Sequence, residues 1–202
     1  MLEITMEEIT DLLDKQDGNH SEVYHLIKDR LTGYREKDIA FAGEFLFFEE
    51  RYLLILKHIK ELGLKVKKVI DIGCQFGFQS ELFKGVEYIG IDAFKHNFFN
   101  RERENVHYII GTFPDVDIDL SDAVTISSMS LGYFNKMIDV DEERALEKIV
   151  DKLRECTRLY IATTPQLAEK LKKVFDHYEL LQEDKVAEFS YPMYYFSREE
   201  EG

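Results

Sequence analysis

The run Val69-Ile70-Asp71-Ile72-Gly73-Cys74-Gln75-Phe76-Gly77 ends an apolar stretch in a carboxylate and enters a turn that carries two glycines. Glycine accepts positive φ and lets backbone come close to a ligand. Asp71, at the last strand position, can accept hydrogen bonds from an amine or fix the loop. A second run, Tyr88-Ile89-Gly90-Ile91-Asp92, also ends in an acid, 21 positions beyond Asp71, about the distance one helix and one strand require. A carboxylate at a strand tip can accept both hydroxyls of a ribose. Ligands of open α/β sheets sit in the crevice at the carboxyl ends of the strands, so these turns are where one would dock. The nicotinamide-dinucleotide fingerprint Gly-x-Gly-x-x-Gly is absent, because Gly73 is followed by Gln75 and then Gly77.

The elements that must position these residues fall into two parts. Residues 1–64 read as a helical leader. Its first helix carries Leu2, Met6, Ile9, Leu12 and Leu13 and stops at Asp17-Gly18-Asn19. Its second is capped by Ser21, carries Val23, Leu26, Ile27 and Leu31, and ends at Gly33. Its third spans roughly Phe41 to Leu62 and stops at Gly63. Residues 65–202 change period, as short apolar runs alternate with amphipathic helices in the manner of βαβ units. The spacing predicts strands at Lys68 to Ile72, Tyr88 to Asp92, Val106 to Ile110, Ala123 to Ser127 and Arg158 to Thr163. A helix is expected near Phe78. Another carries Ala145, Leu146, Ile149, Val150 and Leu153, and a third follows Pro165 with Leu167, Ala168, Leu171, Val174, Phe175 and Tyr178. Tyr178 to Gln182 and Glu188 to Ser197 read as two strands joined by the short turn Glu183-Asp184-Lys185, which permits only an antiparallel hairpin. The two parts are expected to form one compact unit.

Composition limits the partners. The 202 residues carry 26 Lys and Arg against 40 Asp and Glu, a formal charge of −14, which argues against nucleic acid held by diffuse phosphate contacts. At 45% hydrophobic residues the chain can build a core. Two cysteines, Cys74 and Cys156, suggest neither a disulfide framework nor a zinc site, and the six histidines show no metal-ligand spacing. The acidic start is unlike a signal peptide, and no apolar run approaches a membrane span, so a cytoplasmic, reduced protein is expected.

Asp-x-Gly-x-x-x-Gly closing strand one, an acid closing strand two and an antiparallel terminal hairpin together resemble the class I S-adenosylmethionine-dependent methyltransferases. The resemblance covers about Val66 to Arg198. It implies a Rossmann-like, mostly parallel sheet and S-adenosylmethionine as cofactor. It makes Asp71, Gly73, Cys74, Gln75 and Gly77 the loop around the methionine part and Asp92 the ribose acceptor. It puts Ala93 and Phe94 near the adenine, with Thr112 and Phe113 flanking it, and has Ser127 and Ser128 facing the methionine and the substrate. The chain departs from the pattern at Gln75, where glycine is usual, and at Thr112, where an acid is common. Ser127-Ser128-Met129-Ser130 lacks the Asn/Asp-Pro-Pro-aromatic motif of amino-methylating DNA enzymes.

The resemblance therefore implies methyl transfer to a small-molecule acceptor, with Tyr133 and His96 as candidate bases. Tyr34, Phe41, Glu44, Phe48 and Tyr52 of the leader supply aromatic walls and a carboxylate for such an acceptor, or else belong to a packing or dimerisation helix. Purely structural roles stand beside these: Asp71 and Gly73 can simply shape a tight βα turn, and Asp92 can cap a helix. Cys74 lacks a paired base and reads as a small buried residue. The alternative function is a non-catalytic binding or assembly module on the same fold, with a cofactor site weakened at Gln75 and Thr112.

Overall fold

The computed structural model describes residues 6–17, 19–30, 51–75, 77–93, 104–128, 130–131, 142–183, 185–186 and 189–198. The strands are β1 (Lys68–Ile72), β2 (Glu87–Asp92), β3 (Val106–Ile110), β4 (Val124–Ser128), β5 (Arg158–Ala162), β6 (His177–Gln182), β7 (Lys185–Val186), β8 (Phe189–Ser190) and β9 (Met193–Ser197). Seven of them make one sheet in the order β3-β2-β1-β4-β5-β9-β6. β1 to β5 run parallel, and β9 lies antiparallel between β5 and β6. The Rossmann-like sheet with an antiparallel terminal pair is thus the one expected. The order of strands reverses at β1, whose neighbours are β2 and β4, and this switch point opens the crevice of such sheets.

Two features of the carboxyl-terminal hairpin differ from expectation. The strand predicted from Glu188 is broken: β8 pairs with β7 in a separate two-stranded sheet, and β9 begins only at Met193. Pro192, which has no N–H to give a ladder, precedes that start. The helix after Pro165 ends at Leu171, so Val174 and Phe175 lie in the following turn and Tyr178 in β6.

Both faces of the sheet are covered, as parallel strands require. α4 (Glu142–Leu153) and α5 (Pro165–Leu171) bury Leu146, Ile149, Leu153, Leu167 and Leu171 against Ile70, Ile72 and Ile91. Each such side chain contributes about 1.5–3 kcal/mol when fully buried. Thr164 caps α5, its Oγ1 accepting from Leu167 N, and Pro165 supplies a ready-made first turn. The opposite face is covered by α3, helical over residues 51–61, whose Tyr52, Ile55 and Ile59 pack with Val69, Tyr88 and Ile126. Gly63, at φ +64°, follows this helix, and the N–H of Leu64 reaches back to Ile59 O. α3 therefore shares the hydrophobic core of the sheet.

Before it come α1 (Met6–Lys15) and α2 (His20–Ile27), and a bidentate ion pair between Glu8 and Arg30 ties α1 to the 3-10 segment Lys28–Arg30 that follows α2. Asn19 caps α2 in place of the expected Ser21, its Oδ1 accepting from Glu22 N at 3.3 Å. The expected stop at Gly33 lies outside the described residues.

Candidate functional site

The turn between β1 and the next helical piece is suspended from β2. Gly73 N and Cys74 N both donate to Ile91 O, at 2.7 and 3.1 Å, and Gln75 N donates to Asp92 Oδ2 at 2.8 Å. Gly73, Gln75 and Gly77 all have positive φ, at +74°, +48° and +72°. Glycine meets that demand without strain; for Gln75, a left-handed conformation costs about 1–2 kcal/mol, which its bond to Asp92 helps to offset. The α-helix expected near Phe78 is instead a 3-10 segment, Phe78–Leu82. Gly77 and Gly85, both at positive φ, bracket the seven residues that contain it.

The glycines are needed for internal packing as well as for φ. A Cβ on Gly73 would lie 2.0 Å from Ser130 Cβ, and one on Gly77 would lie 2.4 Å from the Tyr108 hydroxyl oxygen. Ser130 Oγ donates to Ile72 O at 2.5 Å and bonds Ser127 Oγ at 2.7 Å, tying the end of β4 to the end of β1. The space beside these two glycines is thus filled by the protein's own side chains.

The two strand-end acids have different surroundings. Asp71 is wholly buried on the α3 face and accepts from Tyr88 Oη at 2.6 Å, Gln79 Nε2 at 2.7 Å and Tyr52 Oη at 3.2 Å to each oxygen. Burial pushes its pKa up to about 6, while the Tyr88, Gln79 and Tyr52 bonds pull it down and nearby Asp92 adds a further push upward. Burial, and then the Asp71 charge, raise the Tyr52 and Tyr88 hydroxyls well above their ordinary value, so both remain donors. Asp92 lies at the crevice end of β2, 8% exposed, with one oxygen on the Gln75 amide.

The remaining sequence candidates separate by depth. Cys74 is buried, and burial pushes its thiol pKa well up, which removes it as a thiolate nucleophile. Phe113 is buried in the core on the α4 side, and Ser127 is fully buried. Gln75 and Thr112 are exposed, and Gly73, Ala93 and Ser128 half-buried. Ser128 Oγ itself is buried and has no hydrogen-bond partner among the described residues. Gly111 N donates to Asp92 O at 2.9 Å, so the turn carrying Thr112 is tied to the end of β2. Gly73, Gln75, Asp92, Ala93, Thr112 and Ser128 therefore share the carboxyl edge of the sheet. Phe94, His96, Tyr133, Tyr34, Phe41, Glu44 and Phe48 lie outside the described residues.

Sequence reasoning missed Gln79, Tyr88 and Ser130. Tyr88 was within reach of it: β1 and β2 are in register with Val69 opposite Tyr88 and Asp71 opposite Gly90, so Tyr88 and Asp71 share a face.

The strand order and the antiparallel β9 define the Rossmann-like methyltransferase fold. No family model and no curated protein matches the chain. Solved structures do. The bifunctional kinase-methyltransferase WbdD aligns at 18% identity and TM-score 0.52, over 73% of this chain and 39% of that one. The N-methyltransferase NodS from Bradyrhizobium japonicum, in complex with S-adenosylhomocysteine, aligns at 12% identity and TM-score 0.57, over 75% of this chain and 87% of that one. The E. cuniculi Mtq2–Trm112 complex, which methylates the termination factor eRF1, aligns at 15% identity and TM-score 0.52, over 74% and 95%. This chain thus spans about two-fifths of the length of WbdD. Among the described residues no helix is long and apolar enough to cross a membrane.

Proposed function

We propose that this chain binds S-adenosylmethionine and transfers its methyl group to a small-molecule acceptor. The observation that carries this reading is the positive-φ turn at residues 73–77, braced by the acid that ends β2, at the switch point of a methyltransferase sheet. The residues present fit such a cofactor. Asp92, a carboxylate at the crevice end of β2, suits a ribose diol, and Thr112 and Ala93, at the same sheet edge, suit a base. The unsatisfied Ser128 Oγ suits a polar atom of the amino-acid part or of the acceptor. Asp71, fully buried, would act from beneath by holding the turn.

The cofactor supplies the reactive methyl group when bound. The chain's own contribution is to orient cofactor and acceptor in line and to exclude water, which needs no strong acid–base motif. An acceptor other than nucleic acid accords with the formal charge of −14. The second reading, a non-catalytic binding or assembly module, draws on Gln75 at φ +48° and on exposed Thr112, the two departures from the family pattern.

The test is the thermal midpoint with S-adenosylmethionine, S-adenosylhomocysteine and NAD. Ligand at about 100 times its dissociation constant adds roughly 2.7 kcal/mol, or about 5–10 °C for a domain of this size. A shift with both adenosyl compounds and none with NAD is the expected result. No shift with the adenosyl compounds at millimolar concentration would remove the cofactor and leave the second reading.

A further inference from the structure

The 73–77 turn is connected to α3 through side chains as well as through the chain. Tyr52 Oη, on α3, lies 3.2 Å from each oxygen of Asp71. Gln79 Nε2 donates to Asp71 Oδ2 at 2.7 Å and to Cys74 O at 2.9 Å, and stands 3.4 Å from Tyr52 Oη. Cys74 O also accepts from Gly77 N at 2.9 Å, so the carbonyl that closes the turn is the one Gln79 grips. The next amide, Gln75 N, is held by Asp92. A contiguous path thus runs from α3 through a buried carboxylate to the backbone of the turn.

We infer that Tyr52 and Gln79 are positioning residues through which the seating of α3 sets the conformation of the 73–77 turn, and with it the affinity for an adenosyl cofactor. The affinity half of this inference rests on the function proposed above; the coupling half does not. Physically, a hydrogen bond to a buried charged group is among the stronger ones, and losing one donor leaves the remaining partners to shift. The groups that face Asp71 are Tyr52 from α3, Gln79 from the 3-10 segment, Cys74 from the turn, and Tyr88 and Asp92 from β2. Protonating Asp71 weakens its hold on Gln79, so the turn loosens as pH falls through about 6. Tyr52 is one of the donors that hold this pKa down, so removing its hydroxyl moves the midpoint upward.

The experiment compares wild type, Tyr52→Phe and Gln79→Leu without ligand, by amide hydrogen exchange across pH. Protection of the Cys74 and Gln75 amides is expected to fall about tenfold in each variant, as the loss of one charge-assisted bond implies. Amides of β5 and β9 should keep wild-type protection. In Tyr52→Phe the pH midpoint of turn protection should rise above that of wild type, a change that lost packing alone does not produce. Unchanged protection at residues 73–77 would overturn the coupling, and so would an equal loss in β5 and β9, which would make these ordinary core residues. Calorimetric titration of the same proteins with S-adenosylhomocysteine separates the two halves. Wild type that binds, with variants about tenfold weaker, supports the affinity half, and variants that bind like wild type overturn it. Wild type that fails to bind overturns the cofactor reading, while the ligand-free exchange still decides the coupling.

Discussion

The two faces of the sheet are built from different materials. The α4–α5 face is mainly aliphatic, from Ile70, Ile72 and Ile91 to Leu146, Leu153 and Leu171. The α3 face carries Tyr52, Tyr88, Tyr160 and Tyr195, and among them the buried polar groups Asp71, Gln79 and His58. Three of these hydroxyls have partners: Tyr52 and Tyr88 reach Asp71, and Tyr160 lies 3.0 Å from His58 Nδ1. An aliphatic face gains stability from area alone and tolerates volume-conserving change. A face of interlocked polar groups fixes one geometry, because each lost partner leaves others unsatisfied. The face that fixes geometry is the one from which Asp71 and Gln79 hold the 73–77 turn.

Gly73→Ala should break this arrangement most severely. The new Cβ meets Ser130 Cβ at 2.0 Å at a backbone φ of +74°, so a loss of roughly 3–4 kcal/mol is expected by thermal or urea unfolding, together with loss of ligand binding. Leu146→Ala on the opposite face should cost about 3 kcal/mol by creating a cavity, yet leave the affinity for S-adenosylhomocysteine unchanged. A fall in affinity there would erase the distinction between the faces.

The pH dependence of stability sharpens the contrast. The folded Asp71 pKa, about 6, lies above its ordinary 3.8, so the native state binds the proton more tightly than the unfolded chain. The stability this group contributes is therefore fully present below about pH 4 and lost as pH rises to about 6, by about 3 kcal/mol. Unfolding of Asp71→Asn across this range should lack that decline, whereas Leu146→Ala should keep it. The smallest effect is expected at Gln75→Gly, which relieves a positive φ and should raise stability by about 0.5–1 kcal/mol in the same assay.

Much of the fold was legible because buried parallel strands are short apolar runs bounded by glycine. β1 and β3 fall on the expected bounds, and β4 and β5 shift by a single residue at one or both ends. The site was legible at Gly73, Gly77 and Asp92, whose demands are local: positive φ at the two glycines and a carboxylate at a strand tip. Two of the partners of Asp71 were not, because Tyr52 comes from a helix 19 residues earlier and Gln79 from a 3-10 segment that helical periodicity does not reveal. The sequence reading allowed that glycines let a ligand approach, but the Cβ positions of Gly73 and Gly77 are closed by Ser130 and Tyr108, contacts that arise only on folding. The helix expected near Phe78 starts there, but as the 3-10 segment Phe78–Leu82.

The central claim is that the crevice at the ends of β1 and β2 holds an adenosyl cofactor. Titration calorimetry with S-adenosylhomocysteine on wild type and Asp92→Ala tests it most directly. The account predicts saturable one-to-one binding to wild type, weakened at least about tenfold when the carboxylate that braces Gln75 and would accept the ribose is removed. Absence of binding to wild type at millimolar ligand, or equal affinity in both proteins, would contradict it.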